Sequence, residues 1–372
     1  MKKMIAIALL LGISASLLGC APQPEAEASV PQQTAAVVQA PTEQLAQATT
    51  EPTTKPTEEQ TQTNLFLKVS VITFSVVGEQ EDIYLGLAPR EDVLWESDNP
   101  EIVSVELGVL TANGVGTTTI RASYGDQVVT CTASCLARDS QELESLGFDI
   151  LSQPKHVIPQ VDMTSPCTYF DDAALVGDSI SYMMMRCENK GDYLGDLTFM
   201  TRGGTSLNGF VKRAKNIAYR GVTMNLEDAI AQSQVKRVYM MIGSNDIASP
   251  PQEAAYMDNW TIMLERIREK SPDVEVVIIS NIPQYADEAN CHGETFLAYN
   301  RKIQEYNEKL RQFAKENGCL FLDLHYYIQD HCGRTPKAYN LDGYHLNDEG
   351  YDNWMKMMRY YAQYELEGGT LS

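Results

Sequence analysis

Ala174-Leu175-Val176-Gly177-Asp178-Ser179 is an apolar run that stops abruptly in Gly-Asp-Ser, and Met183, Met184 and Met185 follow it. A short apolar run bounded by a turn reads as a buried strand. The Met-rich segment reads as the first turns of a helix. In a parallel α/β sheet such a turn lies at the carboxyl edge of the strands, where ligands bind. The turn lifts the Ser179 hydroxyl to that edge, and the helix start aims backbone N–H groups at whatever the hydroxyl attacks. Whether this amounts to chemistry depends on the partners the rest of the chain supplies.

Outward from this stretch, strand-like and helix-like patterns alternate over residues 171–368, as expected of a parallel sheet covered by helices. The strands are read at Ala173–Gly177, Leu197–Met200, Val235–Gly243, Val274–Ser280 and Cys319–Leu324. Trp260, Met263, Leu264 and Ile267 share one helix face after Pro250-Pro251. Tyr299, Ile303, Tyr306, Leu310 and Phe313 form a second stripe, closed by Asn317-Gly318. A last helix starts at Asn347, a good N-cap, and buries Tyr351, Trp354, Met355 and Met358. These stripes read as core.

Polar residues cluster after the strands. Ser179 follows the first, Arg202-Gly203-Gly204-Thr205-Ser206 the second and Gly243-Ser244-Asn245-Asp246 the third. Asp342-Gly343-Tyr344-His345 precedes the last helix. Right-handed crossovers bring all of these ends to one edge of the sheet. Acyl transfer needs such a set. Ser179 is a weak nucleophile until a base takes its proton, and a histidine, here His345, is the natural base. Asp342 is near enough to hold the other ring nitrogen. The backbone N–H of Ser179, the N–H of Gly203 and the side-chain amide of Asn245 supply three donors for an oxyanion. His325, in Asp323-Leu324-His325, is a rival base without the helix that follows His345. His331 and Cys332 with Asp342 and His345 have no regular metal-ligand spacing. Cys187 and Cys291 are weaker candidate nucleophiles, and Asp246 is expected to accept local backbone hydrogen bonds.

With these blocks in this order, the chain resembles the SGNH (GDSL-type) hydrolases. Gly177-Asp178-Ser179 matches the nucleophile block, Gly203-Gly204-Thr205 the glycine block, Gly243-Ser244-Asn245-Asp246 the asparagine block and Asp342-Gly343-Tyr344-His345 the Asp-x-x-His block. The resemblance implies a flavodoxin-like three-layer α/β fold with a five-stranded parallel sheet. It implies a catalytic triad of Ser179, Asp342 and His345, an oxyanion hole of Ser179, Gly203 and Asn245, and no cofactor or metal. Gly204 is the alternative glycine donor. An acyltransferase that passes the acyl group to a glycan hydroxyl shares this chemistry, and a non-catalytic adhesion protein on the same scaffold is a further alternative. No apolar lid is evident, although the loop 284–295 can serve as one.

Upstream, residues 63–137 show short β-like runs (Leu65–Val71, Ile83–Leu87, Ile102–Val105, Thr117–Tyr124, Gln127–Thr132) separated by turn-prone pieces, which predicts a small β-sandwich. Trp95 through Val105, Gly108–Ala112 and Gly116–Ala122 resemble the bacterial immunoglobulin-like group 2 domain, with Trp95 in its core. Residues 138–170 read as a connector. Residues 21–62 are mostly Ala, Pro, Gln, Thr and Glu with no aromatic residue and read as a disordered stalk.

Residues 1–20 open with Lys2 and Lys3, run apolar from Ile5 to Leu18 and end Leu17-Leu18-Gly19-Cys20. They resemble a bacterial lipoprotein signal, which implies lipidation at Cys20 and an extracytoplasmic protein tethered to the cell membrane. The net charge of −21 argues against a nucleic-acid partner and against electrostatic binding to anionic lipid. Seven cysteines remain beyond Cys20, an odd number without a zinc pattern. Cys131 and Cys135, four apart on one strand, cannot bridge. The leading expectation is a serine esterase that removes short acyl groups, O-acetyl above all, from a carbohydrate or cell-wall polymer.

Overall fold

A computed structural model describes residues 64–164, 166–212, 217–289 and 294–366. The expected signal segment 1–20 with Cys20 and the stalk 21–62 lie outside the described residues, as does Cys291.

The first part of the described chain is built of strands. These are β1 (Val71–Val76), β2 (Gln80–Asp82), β3 (Leu94–Ser97), β4 (Val103–Glu106), β5 (Val109–Ala112), β6 (Gly116–Tyr124), β7 (Gln127–Ala137) and β8 (His156–Val157). They form a five-stranded sheet of order β3-β6-β7-β1-β8 and a three-stranded sheet of order β2-β5-β4. Inward-facing Ile72, Phe74, Val103, Leu110, Ile120 and Ala133 are buried. Trp95 is half-buried and meets Tyr84 edge-on at 5.7 Å.

Three strand readings need correction. Ile83–Leu87 holds only an isolated bridge, Tyr84 with Leu67, and the strand there is Gln80–Asp82. The first strand spans Val71–Val76 rather than Leu65–Val71. The last runs on to Ala137, because β1 pairs with it in parallel from Thr132 to Ala137. Within the connector, His156 and Val157 extend the sheet antiparallel to β1.

The second part alternates strands and helices. Five strands, β9 (Ala173–Gly177), β10 (Thr198–Thr201), β13 (Arg237–Met241), β14 (Glu275–Ile279) and β15 (Leu320–Leu322), pair in parallel in the order β10-β9-β13-β14-β15. A small hairpin, β11 (Ile217–Tyr219) with β12 (Val222–Met224), lies outside this sheet and had no clear sequence signal. Within the parallel sheet the strand order by sequence is 2-1-3-4-5. Its topological switch point, where α/β sheets open a crevice, falls between β9 and β13. Every residue of β9 is buried, as expected of a strand covered on both faces. Ala173 and Leu175 join one apolar cluster, and Ala174 and Val176 join another on the opposite face with Trp260, Met263 and Leu310.

The first of these clusters also contains Ile72, Phe74 and Ile120, so the β-rich part and the α/β part share core. Phe66 packs edge-on against Tyr360 and Tyr364 of helix Asp348–Leu366, with ring centroids 6.2 and 5.6 Å apart. The Tyr360 hydroxyl donates to the Leu67 carbonyl at 2.5 Å. The His156 ring stacks on Tyr326 at 3.7 Å, and His331 meets Ser75 at 3.3 Å. Both parts fall within one compact unit. Among the described residues no helix is long and apolar enough to cross a membrane.

Candidate active site

Ser179 is the first residue of helix Ser179–Met185, directly after β9. The turn between them is very tight. A Cβ at Gly177 would lie 2.1 Å from the Ser181 hydroxyl and 2.5 Å from the Met241 carbonyl, so only glycine fits. Asp178 caps the helix by accepting from the Ile180 N–H at 3.0 Å. Its other carboxylate oxygen accepts from the Ser244 hydroxyl at 2.7 Å. That bond spans the switch point and ties the turn after β9 to the turn after β13. Asp178 is fully buried, and burial pushes its carboxyl up to about 6.

Asp342 and His345 sit on a small closed loop. Gly343 adopts φ 97°, the Leu341 N–H donates to the His345 carbonyl at 2.9 Å, and buried Leu346 anchors the far end. One oxygen of Asp342 accepts from the backbone N–H groups of Tyr344 at 3.1 Å and His345 at 2.9 Å. The other lies 2.8 Å from Nδ1 of His345. Burial alone pushes the Asp342 carboxyl up. The His345 and Tyr344 N–H groups and the imidazole outweigh it and hold the group below its ordinary value. An ionised Asp342 fixes the proton on Nδ1, so Nε2 is an acceptor. Nε2 lies 3.0 Å from the Ser179 hydroxyl, which therefore donates to it.

The remaining donors are held by a second set of contacts. The Asn245 amide donates to the Thr205 carbonyl at 2.7 Å, which leaves its second N–H for another acceptor. Gly203 and Gly204 are both exposed, and only Gly204 has a left-handed backbone, at φ 69°. Asp246 departs from expectation. Its carboxylate accepts from Leu207 and Asn208 at 2.8 and 3.0 Å, so its bonds are not local but hold the glycine loop against the turn after β13. A carboxylate that stands next to Asn245 in sequence carries no signal for partners almost forty residues away.

The rival residues lie elsewhere. His325 lies within the short helix Leu324–Ile328 rather than before a helix. It is buried, its backbone N–H is bonded to Ser280, and burial lowers its imidazole to about 4. His331 faces Ser75 rather than Asp342 or His345. Cys187 is half-buried, with its thiol raised by burial, which disfavours the reactive thiolate.

A cavity of ≈ 180 Å³ opens beside Ser179, Asn245 and His345. Ile180, Ala248, Ile282, Pro283, Tyr299 and Ile303 form its apolar wall. Tyr299 was legible as one member of a core stripe. The stripe gave no hint that its hydroxyl would donate to the Ser244 carbonyl at 3.0 Å.

Residues 175–352 match the GDSL-like lipase/acylhydrolase family. No curated protein matches the chain. Among solved structures, the chain is similar to a GDSL-like lipase from Bacteroides thetaiotaomicron, with 17% identity over 54% of this chain and 91% of that one and a TM-score of 0.42. It is also similar to the C-terminal catalytic domain of a Streptococcus pneumoniae peptidoglycan O-acetyltransferase, with 12% identity, 54% and 96% coverage and a TM-score of 0.37. An extracellular lipase from Streptomyces rimosus matches at 16% identity, 50% and 98% coverage and a TM-score of 0.37. The matched segment 175–352 contains Ser179, Asn245, Asp342 and His345, and its similarity to the GDSL-like lipase/acylhydrolase family supports an ester hydrolase.

Proposed function

We propose that the chain is a surface-tethered serine esterase that removes short acyl groups, O-acetyl in particular, from a carbohydrate polymer outside the cell. The observation that carries this reading is the hydrogen-bond relay from Ser179 through His345 to Asp342, at 3.0 and 2.8 Å, beside a small cavity. In the reaction Ser179 Oγ attacks the ester carbonyl carbon while its proton passes to Nε2 of His345. The negative charge on the carbonyl oxygen is met by the N–H of Ser179, the N–H of Gly203 and the free amide hydrogen of Asn245. As the intermediate collapses, His345 protonates the departing sugar oxygen and leaves an acyl-Ser179. Water then attacks this acyl group with His345 again as base, and the carboxylic acid departs. Asp342 stabilises the imidazolium in both halves.

Support for the setting comes from the sequence: the Lys2-Lys3 start, the apolar run, Gly19-Cys20 and the Pro-, Thr-, Gln- and Glu-rich stretch that follows. We read Cys20 as the lipidated residue. Residues 63–137 are an immunoglobulin-like spacer, 138–170 a connector and 171–368 the hydrolase domain. This arrangement gives reach into a wall or a bulky glycan. The net charge of −21 fits a neutral or uncharged substrate better than a nucleic acid.

The test is acetate release from acetylated glycans and from p-nitrophenyl acetate, with Ser179→Ala as control. Equal rates in the two proteins would end the assignment. Acyl transfer to an added alcohol in preference to water would redirect it to a transferase.

A further inference from the structure

We propose that Tyr299 and Ile303 form a fixed back wall that sets the longest acyl group the site accepts. This rests on the reading of Ser179 as the nucleophile. Both residues line the cavity beside Ser179, one helical turn apart on helix Glu294–Glu316. Its volume, ≈ 180 Å³, is roughly six times a water molecule's ~30 Å³ share of the liquid. Its Ile180, Ile282, Pro283 and Ile303 lining suits a short acyl chain better than a polar sugar, so the acyl side of the ester is assigned to it.

The wall is pinned at several points. The Tyr299 hydroxyl donates to the Ser244 carbonyl at 3.0 Å, and the Ser244 hydroxyl in turn donates to Asp178, next to the nucleophile. The same helix is clamped to the chain leaving β14 by two buried asparagines. Asn300 accepts from the Gln284 N–H at 2.9 Å and donates to its carbonyl at 3.0 Å. Asn307, two turns further on, makes the same pair of bonds with Asn281, both at 2.8 Å. Ile282 and Pro283, which form the adjoining wall, lie between these clamps. A wall held by buried, satisfied amides does not swing away to admit a longer chain.

The experiment measures kcat/KM of the full chain for p-nitrophenyl acetate, butanoate and octanoate. Wild type is expected to favour the two short esters. Tyr299→Ala opens the wall and raises the octanoate-to-acetate ratio by about tenfold or more. Tyr299→Phe keeps the ring and leaves the ratio within about twofold. Ala248→Leu, at an exposed position on the same cavity, fills it instead and lowers the butanoate-to-acetate ratio by about tenfold. A folded, active Tyr299→Ala protein with the wild-type chain-length profile would overturn the wall. If that variant does not fold, an unchanged profile in Ala248→Leu does so. Wild-type protein that cleaves none of the three esters would overturn the esterase reading beneath it.

Discussion

At the residue scale, three carboxylates that look alike in sequence do different work. Asp342 is held ionised by the N–H groups around it, Asp178 is buried under a helix start, and Asp246 holds a loop. Asp342→Asn removes the acceptor that fixes the imidazole tautomer and lowers kcat by about 10²–10⁴-fold with the fold intact, as circular dichroism at matched concentration would show. If Asn245 is the oxyanion donor proposed above, Asn245→Ala should cost about 10²–10³-fold in kcat. Asp178 yields a pH-dependent prediction. Its folded value, about 6, is raised above the unfolded range, so the folded state binds the proton more tightly. Its contribution favours folding below about pH 4 and is lost as the pH rises through 6. Asp178→Asn removes that loss. Relative to wild type, its stability in urea should improve by on the order of 2–3 kcal/mol between about pH 4 and pH 7. A constant difference would show that the carboxyl is not perturbed. Ser179, Asp342 and His345 were legible because the chain spells each one at the end of a strand or before a helix. The partners of Asp246 and the hydroxyl of Tyr299 were not, because both bonds join residues far apart in sequence.

At the element scale, the site exists because two turns on neighbouring strands are forced together. The parallel strands and amphipathic helices could be read from apolar runs and stripes, and the observed strands differ from those readings by a few residues. Strand order could not be read so directly, since it is fixed by which faces bury which side chains. The order 2-1-3-4-5 places Ser179 and Ser244 on either side of the switch point. Gly177→Ala should therefore be costly. The added Cβ would meet the Met241 carbonyl of the adjacent strand at 2.5 Å, and overpacking of this kind costs about 1–3 kcal/mol. A urea midpoint equal to wild type would contradict the close approach. Asp246→Ala strands the N–H groups of Leu207 and Asn208, at about 1–3 kcal/mol for each buried donor, and frees the loop that carries Gly203. It should lower both the melting temperature and kcat.

At the scale of the whole molecule, the sequence separates a β-rich region from an α/β region, and composition marks the change clearly. It did not reveal that the two share an apolar cluster, since residues such as Phe66 and Tyr360 meet only in the folded chain. Their packing predicts a single cooperative thermal transition for the two regions, with calorimetric and van't Hoff enthalpies equal. Two separated transitions would show that they unfold independently. Tyr360→Ala, which removes a buried ring and its bond to the Leu67 carbonyl, should cost roughly 3–5 kcal/mol of that common stability. Everything proposed for this fold turns on the Ser179 hydroxyl, which covalent labelling can report on by itself. A fluorophosphonate probe, which loses fluoride to an activated serine oxygen, should add one mass increment. That increment should map by peptide mass spectrometry to Ser179 and disappear in Ser179→Ala together with esterase activity. A label on another residue, or full activity in Ser179→Ala, would contradict the account.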